Sequence, residues 1–209
     1  MSIIKEGIDT IMTASDASQK FLKFIIELKF KGSVYYFLWG TDETDSDKDK
    51  FLVDYQNRIV CFYQIGDLLC YMNDNIDLLF DVEITLAWMK EFHLKDEVSK
   101  FDFNIIYRFI DDQNYLFECT SVDALKFIDL LNLMGDYIKQ LGDEKLIDLY
   151  YGEDLSLIND SFHLKYFWTS SESQIKEMFD KIKTEFNYFN YQNTLRKIVQ
   201  TFESALYIV

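Results

Sequence analysis

The chain of 209 residues contains no proline. Proteins ordinarily carry about 5%, so rigid polyproline linkers and cis-proline turns are excluded. Cysteine is scarce and odd in number, at Cys61, Cys70 and Cys119, with no Cys-x-x-Cys pair. Each lies in an apolar context, which reads as three reduced, buried thiols of a cytoplasmic protein. Histidine occurs only as His93 and His163. Neither has a second histidine at metal-binding spacing, so no metal and no cofactor are expected. The longest uninterrupted apolar run is Val34–Trp39, far short of the ~20 residues that a membrane helix needs. The opening MSIIKEGIDTIM is interrupted by Lys5, Glu6 and Asp9, which reads as no signal peptide. A glycine-rich phosphate loop is also missing, since Lys31-Gly32-Ser33 inverts the order that such a loop requires.

Apolar residues are plentiful. They make up 49% of the sequence, with 14 Tyr and 19 Phe, enough to fill a core and leave aromatics for a partner-facing surface. The net charge is −15, unevenly distributed. Residues 1–40 and 161–209 each sum to +1, and residues 41–160 sum to −17. A field of that sign repels phosphate backbones, so no direct nucleic-acid binding is expected, and it attracts a basic partner.

The spacing Ile4, Ile8, Ile11, Met12 predicts a helix over Ile3–Thr13. Phe21–Phe30 alternates and predicts a half-exposed strand with a basic outer row at Lys23 and Lys29. Gly32-Ser33 fits a two-residue turn into a second strand, Val34–Trp39, apolar on both faces and therefore covered on both sides. An acidic loop, Gly40–Lys50, leads to strands at Phe51–Tyr55 and Arg58–Tyr63, and a short helix follows over Asp67–Met72. Helical spacing recurs over Asp77–Phe92. Phe101–Phe109 alternates as a strand, and Tyr115–Cys119 suits a returning strand or a helix start. Ser121–Leu141 is a helix closed by Gly142, and Glu144–Tyr151 is a shorter one. Ser171 and Gln174 form a capping box for a helix that the NYFNYQN segment interrupts before a final helix. The expected fold is one α+β domain over residues 1–209. Its antiparallel sheet of about four to six strands is mostly N-terminal and packs against helices that dominate the C-terminal half.

No local pattern pairs a nucleophile with a base. Asp45-x-Asp47-x-Asp49 matches the start of a calcium loop, but Lys50 and Gln56 stand where that loop needs Gly and Glu. Two acidic groups remain as candidate contacts for a basic protein. The first is Asp42, Glu43, Asp45, Asp47 and Asp49, equally readable as an ordinary exposed strand connection. The second is Asp143, Glu144, Asp148, Glu153 and Asp154, interleaved with Tyr150, read as core, and Tyr151, read as contact.

The block FLVDYQNRIVCFYQIGDLLCYM, with Val53, Asp54, Phe62, Asp67, Leu68 and Tyr71, resembles the immunity proteins paired with bacterial contact-dependent growth-inhibition toxins. Trp88 suits the Trp-bearing helix of that family. Leu130, Leu131, Asn132 and Asp136 suit its "LLN…D" helix, Leu149, Tyr150, Gly152 and Leu155 its "LY.G..L" segment, and Trp168 with Glu172 its final helix. The resemblance implies a non-enzymatic inhibitor in the cytoplasm. Its partner would be the C-terminal domain of a cognate toxin, often a basic nuclease. The alternatives are an enzyme whose site is assembled from distant residues and an acidic mimic of nucleic acid.

Overall fold

The computed structural model describes residues 16–168 and 170–209. The helix expected at Ile3–Thr13 lies outside them.

Strand β1 (Lys23–Phe30) pairs antiparallel with β2 (Ser33–Asp42), and β2 with β3 (Lys48–Phe51). The turn between β1 and β2 sits at Lys31 and Gly32, whose φ angles are +48° and +82°. It is thus one residue earlier than the sequence suggests: Phe30 pairs with Ser33, which already belongs to β2. Strand β4 (Ile59–Cys61) touches β2 and the end of β3 only through the isolated bridges Tyr36–Phe62 and Val53–Ile59. Its ladder partner is the last strand of the chain. The fourth strand of the main sheet is β5 (Ser99–Asp102), which joins β1 in parallel, giving the order β3-β2-β1-β5. The α+β class stands, with a mixed four-stranded sheet in the N-terminal half.

Both faces of the sheet are covered, and side-chain alternation sorts the residues between them. Ile26, Leu28, Phe37 and Phe51 enter the larger core cluster. Ile25, Leu38, Leu52 and Val60 enter the smaller one. Over the smaller cluster lie α1 (Asp16–Phe21), α2 (Ile65–Asp74) and α3 (Val82–Glu91), the last contributing buried Trp88. This second layer overturns the expected half-exposed β1. Lys23 is 0% exposed, and its ammonium lies 3.2 Å from Asp81 and 2.5 Å from the Thr41 carbonyl oxygen. Of the expected basic outer row, Lys29 alone reaches solvent.

Over the larger cluster lie α4 (Ile105–Asp111), α5 (Gln113–Glu118), α6 (Ser121–Leu141), α7 (Glu144–Tyr150), α8 (Glu153–Phe162) and, after α9 (Glu172–Glu185), which packs against α8, the helix α10 (Tyr188–Ala205). The strand expected at Phe101–Phe109 is cut at Asp102. The Asp102 carboxylate accepts from the backbone and side chain of Asn104 and turns the chain. Buried Ile105, Ile106, Phe109 and Ile110 then face the core as one helical stripe. Helix α6 has the expected bounds, capped by Thr120 and closed by Gly142 at φ +67°. The capping box of α9 is present at Ser171 and Gln174. The break before α10 falls at Phe186–Asn187, where Asn187 caps a helix that runs through the NYFNYQN segment. Strand β6 (Leu206–Ile208) then pairs in parallel with β4. Cys61 and Cys119 are buried as expected, whereas Cys70 is exposed.

Candidate functional site

The acidic loop is a tighter structure than its composition suggests. Strand β2 continues through Asp42, Glu43–Asp45 form one 3-10 turn, and β3 resumes at Lys48 with Asp42 opposite it. Ser46 and Asp47 take φ angles of +57° and +55° to close the bend. Asp42 is 4% exposed. Its carboxylate accepts from Lys50 at 2.7 Å and from the Thr44 hydroxyl and backbone N–H. Burial opposes its ionisation, but these donors hold its carboxyl below the ordinary range. Asp45 pairs with Lys48 at 3.0 Å and Lys50 at 2.9 Å. Hydrogen bonds from those lysines, Lys50 first, hold it low as well. Asp49 accepts from the Thr41 hydroxyl at 2.7 Å. Asp42 is thus an internal ion-pair partner rather than a solvated contact. Glu43 and Asp47 are exposed and have no ion pair among the described residues.

The second group divides in the same way. Asp143 caps α7 by accepting from the N–H groups of Lys145 and Leu146. Asp154 accepts from the Asn187 N–H at 2.7 Å and ties the start of α8 to that of α10. Glu144, Asp148 and Glu153 are exposed without ion pairs among the described residues. The two tyrosines differ in exposure. Tyr150 is half-buried against α6, and Tyr151 is 60% exposed, with the ring centroids 5.0 Å apart.

Helix α6 lies beside two cavities, one lined by three acids of the first group and the other by Tyr150 and Tyr151 but by none of the second group's acids. One, of about 660 Å³, lies between the β2–β3 hairpin and the end of α6, lined by Asp45, Asp47, Asp49, Asp136, Lys139 and Gln140 among others. The other, of about 270 Å³, lies between α6, α7 and α8, and Lys139 lines both. Gln140 fixes the hairpin to α6. Its side-chain oxygen accepts from the Phe51 N–H at 2.8 Å, and its amide donates to the Phe51 carbonyl oxygen at 3.1 Å. Asp136 pairs with Lys139 at 3.2 Å, and its side chain is 13% exposed. Burial raises its carboxyl to about 6. The Asp49 charge adds to that shift, while Lys139 opposes it, as does the Trp39 indole, which lies outside hydrogen-bond geometry.

The sequence reading named Asp136 within the family resemblance and did not single out Lys139. The signal was present: Asn132, Asp136, Lys139 and Gln140 recur at helical spacing on one face. Neither His93 nor His163 lines either cavity. His163 contacts the Asn159 carbonyl through Nδ1 at 2.9 Å and packs against Trp168. Among the described residues no group of three or more His, Cys, Asp or Glu could hold a metal ion, and no helix is long and apolar enough to cross a membrane.

No family model matches the sequence, and no curated protein matches it. Among solved structures, the C-terminal domain of SatS, crystallised in complex with bromine, aligns with a TM-score of 0.57 at 16% identity. The alignment covers 95% of this chain and 100% of that one. At that identity the likeness is one of fold alone.

Proposed function

We propose that this protein is a non-catalytic inhibitor that binds and neutralises a basic protein toxin, such as a nuclease domain, through the face built around α6. One observation carries the reading: Asp45, Asp47 and Asp49 of the first acidic group line a cavity that shares Lys139 with a second cavity walled by Tyr150 and Tyr151, and Glu43, Asp47, Glu144, Asp148 and Glu153 are exposed and free of ion pairs among the described residues. Free carboxylates steer a basic partner and set its orientation. Tyr151 supplies an exposed aromatic anchor beside them. Bound there, the inhibitor covers the toxin's active site or excludes its substrate. The resemblance to immunity proteins points the same way. The test is co-expression of a tagged copy with the toxin encoded beside it. Co-purification and survival of the cells support the reading, and the absence of both ends it.

A second reading, an enzyme with a dispersed site, draws on Asp136, a carboxyl raised to about 6 at the wall of a 660 Å³ cavity. Perturbed carboxyls in concave sites are where general acids occur. The lining supplies no histidine or cysteine to work with it. Turnover that Asp136→Asn abolishes while leaving the fold intact is the result that favours it.

A further inference from the structure

We infer that the smaller cavity, between α6, α7 and α8, is a receptor for one arginine side chain of the partner protein. The inference rests on the proposed basic partner and specifies what that partner presents.

The chemistry of the walls leads to a guanidinium. Leu131 and Leu155 are buried in the lining and offer apolar surface to an aliphatic stem. Tyr150 and Tyr151 meet edge to face at the rim with ring planes 85° apart. Aromatic faces of this kind hold cations, planar guanidinium above all. The protein already uses one of them so: the Lys139 ammonium stands 6.0 Å from the Tyr150 ring centroid while paired to Asp136. Asn159 also lines the cavity, and its Oδ1 is buried with no hydrogen-bond partner among the described residues. A buried acceptor without a donor is costly. A guanidinium carries five N–H donors in a fixed fork and no acceptor, which answers that vacancy. The lining's charged residue is Lys139, whose ammonium is paired to Asp136, and outside the cavity Asp148 and Glu153, three residues before and two after Tyr151, are exposed carboxylates, without ion pairs among the described residues, that draw a cation towards the mouth. A volume of about 270 Å³ suits one side chain rather than a strand or a helix.

The probe is Nα-acetyl-arginine amide, titrated into the isotope-labelled full chain and followed by NMR. The expected result is saturable shifts confined to Tyr151, Ser156 and the Asn159 side-chain amide. Binding should be about fivefold or more weaker for the lysine analogue, which lacks the planar fork. Tyr151→Ala and Asn159→Leu should each weaken it about tenfold, and Tyr151→Phe should retain it. Shifts that never saturate, equal response to both analogues, or unchanged binding in Asn159→Leu overturn the inference. The two ideas fail separately. Capture of a basic toxin by a chain that ignores the arginine probe leaves the inhibitor reading and removes the receptor. Saturable arginine binding without any captured toxin does the reverse.

Discussion

The phenol of Tyr150 lies across Gly135 of α6, so a methyl group on Gly135 would stand 2.5 Å from the Tyr150 hydroxyl oxygen and 2.7 Å from Cε2. Contacts that close force the ring to move. Gly135→Ala therefore destabilises the protein by about 1–3 kcal/mol. In a Tyr150→Ala background the same change should become stabilising, because Ala exceeds Gly in helix propensity by about 1 kcal/mol. A double-mutant cycle in urea measures the reversal, and a cost that persists without Tyr150 contradicts the packing account.

The Lys23–Asp81 pair is enclosed, with side chains 0% and 3% exposed. Lys23→Met strands a buried carboxylate and should cost about 3–5 kcal/mol. Lys23→Met with Asp81→Asn should recover most of that loss. A double variant as unstable as the single would show that the lysine matters through its hydrogen bond to the Thr41 carbonyl instead.

Stability should peak near a mildly acidic pH. Burial raises Asp136 to about 6 from 3.8, and burial raises Asp129 to about 6 likewise. Between those values the folded chain keeps protons that the unfolded chain releases, so stability falls as pH rises, and the loss is complete above pH 6 or so. Asp42, Asp54 and Asp123 oppose this at lower pH. In each, burial is outweighed by hydrogen bonds that depress the carboxyl, and their contribution is lost as pH falls below 3.8. Melting temperatures should therefore be higher near pH 5 than at pH 7, and Asp136→Asn should shrink the difference. A profile that is flat from pH 4 to 7 contradicts the burial of Asp136.

Thiol chemistry separates the cysteines. Cys70 is exposed, whereas burial encloses Cys61 and pushes its thiol up to about 12. Ellman's reagent should titrate one thiol of three in the native protein and all three in denaturant. Rapid native reaction of two or more refutes this.

Removing the Gln140 amide exposes the Phe51 backbone at the free edge of β3. Gln140→Ala should cost about 1–3 kcal/mol and promote self-association, because an uncovered edge is a template for another strand. Unfolding midpoints and sedimentation velocity report the two effects.

Helix α6 was legible in full because a 21-residue apolar stripe and a terminal glycine leave a single solution. Phe101–Phe109 was not, since its apolar residues satisfy the strand period and the helix period alike. Only the Asp102–Asn104 turn decides between them. The parallel partners of β1 and β4 were hidden for another reason. Three- or four-residue strands carry too little pattern to announce a distant pairing. At the site, Tyr150 is half-buried and Tyr151 exposed, a difference in exposure that the sequence expectation for the pair anticipated. The internal use of Asp42 was invisible, because it depends on hairpin register rather than composition. The exposed Cys70 shows the same limit from the other side, since an apolar neighbourhood in sequence does not fix which side of a helix a residue takes.

The pairing of Ile59 with Leu206 ties an early strand to one far along the chain. A ribosome releases the chain from its N-terminus, so β4 waits, without its ladder partner, until Leu206–Ile208 has been made. The β4 ladder therefore closes only after every helix described above has been synthesised. A nascent chain arrested before residue 206 should remain open to protease at β4, however long it is left to rest.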